Sequence, residues 1–170
     1  MYLEAVQESR NRVTSMALIH QKLYQGENLA AIEMRDYFET IGKAIIKSFG
    51  EKAKEVELHV DMPEIELDVD TAIPIGLITN ELITNSLKYA FTNTPDGKIS
   101  ISMKKDEDNL IQLSIADNGH NNNPGISEGG TGFGTMLINL LTTQLRGKLD
   151  QRTDHGTTIV IEFPLEGKVA

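Results

Sequence analysis

The chain has 170 residues, 39% apolar and 24% charged, which suits one soluble globular domain with a sizeable core and excludes a disordered chain. Cysteine is absent, no basic start followed by an apolar run opens the sequence, and no apolar stretch approaches bilayer length; disulfides, thiolate metal sites and a membrane span are excluded, and a cytoplasmic setting is expected. A formal net charge of −9 without any Lys/Arg cluster excludes nucleic acid as a partner, so a small-anion site would need a local metal ion, lysine or helix N-terminus.

Residues 2 to 24 read as a helix with a heptad-like seam, because Val6, Val13 and His20 recur every seven residues, as do Ala17 with Tyr24 and Met16 with Leu23. Met1 carries no capping signal, so the segment reads as cut from the middle of a longer chain, and QGEN (25–28) ends the pattern. A second helix is predicted over Arg35 to Phe49, stopped by Gly50. EVELHVD (55–61) and EIELDVD (64–70) alternate apolar and charged residues as half-buried strands do, with Met62-Pro63 between them. A third helix is predicted from about Ile73 to Phe91, which places Pro74 in its first turn, where proline is tolerated.

TNTPDG (92–97) is a turn, and KISISMKK and NLIQLSIADN are two more strands around Asp106 to Asp108. GHNNNPGISEGGTG (119–132) is a polar loop, Phe133 to Leu145 a helix, and GKLDQRTD with TTIVIEFP a closing hairpin around His155-Gly156. Strands and helices are grouped rather than strictly alternating. The expected fold is therefore an α/β (α+β) two-layer sandwich: one mixed, mostly antiparallel sheet with helices on one face, preceded by the long N-terminal helix.

Three polar features stand out. In NELITNSLKYA (80–90) helical spacing puts Glu81, Asn85 and Lys88 on one face. An amphipathic surface helix would look the same. A site would instead use the Asn amide oxygen as a hard ligand for Mg²⁺, the lysine as point charge against phosphate, and the carboxylate to orient or deprotonate a nucleophile. In SIADNG (114–119) Asp117 ends a strand before Asn-Gly, which is either a turn or an acceptor for an exocyclic amine such as that of adenine, with Gly119 letting the backbone approach a flat ring. GGTGFGTMLINLL (129–141) runs a glycine-rich loop into a helix, a flexible cap or a phosphate cradle. Its spacing is neither that of a Walker A loop nor that of a dinucleotide fingerprint.

Taken in order, and followed by Gly156-Thr157-Thr158, these features resemble the ATP-binding domain of sensor histidine kinases within the GHKL ATPase superfamily. The N box resembles residues 80–89, the G1 box Asp117-Asn118-Gly119, the G2 box Gly130-Thr131-Gly132-Phe133-Gly134, and the last box 156–158. The resemblance implies that Asn85 ligates the Mg²⁺ on the triphosphate, that Lys88 contacts phosphate, and that Tyr89 lines the nucleotide site. It implies that Asp117 holds the adenine amine with help from Thr158, while Gly130, Thr131, Gly132, Phe133 and Gly134 form the ATP lid. Glu81 stands where related ATPases carry a catalytic carboxylate, as a base, a water-orienting group or a partner of a metal-bound water. Two departures are visible: Asn121 replaces the second glycine of the G1 pattern, and no Phe-rich box lies between Asp117 and Gly130.

The flanks, SRNRVTSMALIHQKLYQGENLAAIEMRDYF and IELDVDTAIPIGLITNELITNSLKYAF, resemble the subgroup with the second type of histidine-kinase dimerisation domain. This implies two parts: residues 1–28 as the second helix of a dimerisation and phosphotransfer hairpin with its linker, and 29–170 as the catalytic domain. The implied reaction moves the ATP γ-phosphoryl group to a histidine on a preceding helix, for relay to a response regulator, with homodimerisation through the N-terminal helix. His20 is read as structural, because it shares the seam of Val6 and Val13 and is followed by Gln21 rather than an acidic residue. The alternatives are a GHKL serine kinase of the anti-sigma-factor type and a non-catalytic module of the same fold.

Overall fold

A computed structural model describes residues 2–25, 31–91, 94–120 and 132–165. Helix α1 (Tyr2–Tyr24) leads into strand β1 (Ile32–Glu33) and helix α2 (Met34–Ser48), followed by a 3₁₀ turn at Gly50–Ala53. Strands β2 (Glu57–Asp61) and β3 (Glu66–Leu67) precede helix α3 (Val69–Asn85), which continues as a π-helical segment, Ser86–Ala90. Strands β4 (Lys98–Lys105) and β5 (Leu110–Asp117), helix α4 (Phe133–Gln144), and strands β6 (Lys148–Arg152) and β7 (Thr157–Pro164) complete the order.

The main sheet has the order β2-β4-β5-β7-β6, with β2 parallel to β4 and the other three pairings antiparallel. Strict alternation along β4, β5 and β7 sends Ile99, Ile101, Met103, Ile111, Leu113, Ile115, Ile159, Ile161 and Phe163 to one face, where they form a single core with the buried residues of the helices. The opposite face carries Ser100, Ser102, Ser114 and Val160, each half-buried, and no described helix has its core residues there. The expected two-layer α/β sandwich is therefore the observed one.

Helix α2 begins because the Glu33 carboxylate caps it, accepting from the Arg35 and Asp36 amides at 3.1 and 2.8 Å. It buries Met34, Tyr37, Phe38, Ile41 and Ile45, the i, i+3, i+4 and i+7 stripe of an amphipathic helix. The predicted stop at Gly50 holds: its φ of 65° lies in the left-handed region that lets a chain leave a helix.

Three expectations need correcting. The alternation in EIELDVD is not one strand of the main sheet: only Glu66–Leu67 is extended, and it pairs with β1 in a separate two-stranded sheet. Val69 and Asp70 already belong to α3, with Asp68 as N-cap accepting from the Thr71 hydroxyl, so the helix begins four residues earlier than predicted. Pro74 consequently sits in the second turn, where its missing N–H leaves the Asp70 carbonyl without its usual i+4 donor. On α1 the heptad positions Val6, Val13 and His20 stay outside the domain's own core. Ile19 and Leu23 enter the core, whereas Val6, Val13 and His20 face outward, His20 stacked on Tyr24 with ring centroids 4.5 Å apart. A lone amphipathic helix does not reveal which of two adjacent apolar stripes its own domain covers.

The helical layer is held closely at one point. The fully buried Tyr37 of α2 donates its hydroxyl to the Ala72 carbonyl of α3 at 3.0 Å, and Gly76 supplies the space, since a Cβ there would lie 2.0 Å from the phenol oxygen. Gly76→Ala should lower unfolding stability by about 1–3 kcal/mol, the range for overpacking a tight core. The loss should shrink in a Tyr37→Phe background when both are compared by urea denaturation. Burial also pushes the Tyr37 phenol above its ordinary value. The unfolded phenol ionises near pH ~10 while the folded one stays neutral, so the unfolded state binds fewer protons at alkaline pH. Stability should fall as pH rises past that point, and less steeply in Tyr37→Phe, as read from denaturation midpoints across the alkaline range.

Candidate nucleotide site

Asp117, at the last position of β5, is the first anchor of the site. It is 9% exposed, and its carboxylate is held by three donors: the Ser86 hydroxyl at 2.8 Å on Oδ2, and the Gly119 and Thr157 amides at 3.1 and 3.3 Å on Oδ1. One buried carboxylate thus joins the end of β5, the start of β7 and the first residue of the π-helical segment. Such charge-assisted bonds are stronger than neutral ones and offset its desolvation. Gly156 lies directly against it at φ 115°, with a Cβ there only 2.0 Å from the Asp117 carbonyl oxygen. Gly119 is buried beside Ala90, and the His120 amide donates to the Ala90 carbonyl at 3.2 Å, which closes the end of β5 against the π-helical segment.

The sequence reading assigns the hydroxyl beside Asp117 to Thr158. The register corrects this: Asp117 pairs with Thr157 and Ala116 with Thr158, so Thr157 shares the buried face with Asp117 while Thr158 lies on the opposite face of the sheet. The slip is of one residue, and one residue inverts a strand side chain.

The second anchor is Glu81, only 3% exposed although it belongs to a polar motif. Its two carboxylate oxygens accept from Arg12 of α1, Nε at 2.5 Å and Nη2 at 3.1 Å, a bidentate fork between residues 69 apart in sequence. The guanidinium lies over the Phe133 ring, 4.7 Å from its centroid, and a Cβ at Gly134 would sit 3.0 Å from Glu81 Oε2. Helices α1, α3 and the start of α4 therefore meet at this carboxylate. Between the two anchors lie Asn85 and Lys88, both half-buried, with the Lys88 ammonium 5.1 Å from the ring centroid of the exposed Tyr89. The helix predicted through Phe91 loosens to π geometry after Asn85, so Lys88 leaves the strict α-helical face expected to hold it with Glu81 and Asn85.

Gly132 is the N-cap of α4 in left-handed conformation at φ 73°, so the helix starts at Phe133 and its first turn lies beside Glu81. Gly130, Thr131 and the Asn121 departure fall outside the described residues. Among the described residues no group of three or more His, Asp or Glu side chains gathers as a protein-only metal centre. An ion held by one neutral amide oxygen, with phosphate and water completing its shell, fits the donor set around Asn85. Sequence reasoning missed Arg12, Ser86, Thr157 and Gly156 as site residues. Ser86, Thr157 and Gly156 lay inside the quoted motifs; Arg12 carried no local signal at all.

Residues 70–167 match a family model described as histidine kinase-, DNA gyrase B- and HSP90-like ATPase, and residues 2–49 match one described as histidine kinase. Blue-light-activated histidine kinase 2 of Erythrobacter litoralis (strain HTCC2594) is 26% identical over 164 residues, covering 91% of this chain and 46% of that protein. Blue-light-activated histidine kinase 1 of the same organism is 26% identical over 141 residues, covering 82% and 38%. This chain thus spans less than half the length of either curated relative. In structure, the histidine kinase domain of the Erythrobacter litoralis EL346 blue-light-activated kinase superposes with a TM-score of 0.75 at 24% identity, over 92% of this chain and 74% of that one. Full-length ShkA in complex with AMPPNP gives 0.63 at 16% identity, over 99% and 39%.

Gly156→Ala should act on both fold and site, because the methyl group meets the Asp117 carbonyl and the backbone angle is strained for alanine. A loss of about 1–3 kcal/mol is expected in chemical denaturation, together with shifted amide resonances at Asp117 and Thr157.

Proposed function

The chain belongs to the histidine kinase-, DNA gyrase B- and HSP90-like ATPase family, and from that premise we propose that it is the Mg-ATP-binding catalytic part of a two-component sensor histidine kinase. The reaction is transfer of the ATP γ-phosphoryl group to a histidine, for relay to an aspartate of a response-regulator receiver domain. Support comes from the histidine kinase match over 2–49 standing directly before the ATPase match over 70–167. The phosphoacceptor is proposed to lie on a helix preceding α1, and His20 to be structural. Residues 1–28 are then the second helix of the dimerisation hairpin with its linker, and 29–170 the catalytic domain. The match over 2–49 continues through α2, whose side chains pack in the same core as α3. The parent protein would pair with a second copy through α1, and no described helix is long and apolar enough to cross a membrane.

The buried, thrice-held Asp117 is the observation that carries the nucleotide reading. Its position is fixed before ligand arrives, so an adenine 6-amine can donate to it without reorganisation. Asn85 would hold Mg²⁺, which when bound neutralises phosphate charge, and Lys88 with the first-turn amides of α4 would face the triphosphate oxygens. Tyr89, Gly119, Gly130, Thr131 and the turn Gly132–Gly134 complete the proposed nucleotide contacts. Glu81 would orient the nucleophile or take its proton, and catalysis would be mainly positioning and charge complementarity.

Isothermal titration calorimetry should show Mg-dependent ATP binding. ITP, which lacks the amine, should bind at least about tenfold more weakly, as expected for losing a hydrogen bond to a charged acceptor. Asp117→Asn should erase that discrimination, and Asn85→Ala should erase the Mg²⁺ dependence. Equal binding of ATP and ITP by the wild type would refute the role of Asp117. On its own the 170-residue chain should acquire no acid-labile, alkali-stable phosphate from labelled ATP.

A further inference from the structure

We propose that Arg12 is a latch on the nucleotide site: docked α1 holds Glu81 in a bidentate ion pair, and withdrawal of Arg12 by movement of α1 releases that carboxylate for chemistry. The inference rests on the reading of Glu81 as the reacting carboxylate of the proposed site.

Each Glu81 oxygen accepts from Arg12, one at 2.5 Å and one at 3.1 Å, while Phe133 covers the guanidinium. A carboxylate held this way is committed to its partner in both charge and direction, and it must turn from Arg12 to accept a proton from a nucleophile. The pair does not dissociate in place. Glu81 is 3% exposed, and stripping its partner would leave an uncompensated buried charge. Release therefore requires a helix to move and admit water or ligand.

Helix α1 is the element placed to do so. Its core contacts are Ile19 and Leu23 near its C-terminal end, whereas Tyr2, Leu3, Val6 and Val13 are exposed. Arg12 sits two helical turns upstream of the Ile19 anchor, so a tilt about that anchor carries the guanidinium away from Glu81 with little loss of core burial. The same contact ties α1 to the first residue of α4, so α1 position, Glu81 and the end of the lid form one mechanical unit. The reaction by which the latch is read is ATP hydrolysis, in which a water oxygen bonds to the γ-phosphorus as the bridging P–O bond breaks. ADP leaves with that electron pair, and the water proton goes to the released Glu81.

The test is Mg-ATP hydrolysis by the 170-residue chain at saturating nucleotide. Arg12→Ala should raise phosphate release at least about fivefold, the low end of typical coupling between sites. Arg12→Lys, which keeps the charge but not the fork, should raise it less, and the Arg12→Ala/Glu81→Gln double variant should show no rise. Hydrogen exchange along residues 9–16 should quicken in both Arg12→Ala and Glu81→Gln, with β5 and β7 unchanged as the control for folding. Unchanged or reduced turnover in Arg12→Ala with Mg-ATP binding intact overturns the latch alone. Failure of the wild type to bind Mg-ATP overturns the nucleotide reading itself.

Discussion

A single buried carboxylate organises the site end of this molecule. Asp117 terminates β5, yet its three donors come from the π-helical segment, from the turn after β5 and from the start of β7. Without it, those pieces would present unpaired donors to a low-dielectric interior, and the ends of two central strands would lack a common reference. With it, the site is preformed, because a group that folding has already fixed has little ordering left to do when a ligand arrives. The close approach of Gly156 is part of the same constraint, since it brings the β6–β7 turn against the Asp117 backbone.

Much of this was legible from residue order. The strands of the main sheet, α2 and α4 follow from period and turn chemistry, because each buries one face against one neighbour. What failed did so for physical reasons. The residues 64–70 alternate as a strand does, but their alternation serves a two-residue bridge and then a helix cap, and short extended pieces share their pattern with both. α3 is buried on most sides, so its start lacks the clean amphipathic edge that made α2 readable.

The candidate site was legible as four motifs and illegible as contacts. Asn85, Lys88, Asp117 and the glycines before α4 announce themselves by type and spacing. Whether Thr157 or Thr158 faces Asp117 depends on a strand register that no local pattern states. Arg12 is the clearest case. Within its own helix it is one more basic residue on a polar face, and its meaning comes from Glu81, 69 positions away.

The edges of the sheet carry a further consequence. Both edge strands turn charged residues to solvent: Glu57 and Asp61 on β2, and Lys148, Asp150 and Arg152 on β6. An exposed edge offers a ladder of free amides and carbonyls to any passing strand, and rows of charge are a common guard against that fusion. Charged side chains on both edges thereby oppose the addition of strands from another molecule. The exposed apolar residues Tyr2, Leu3, Val6 and Val13 lie instead on a helix, whose backbone groups are already paired along its length.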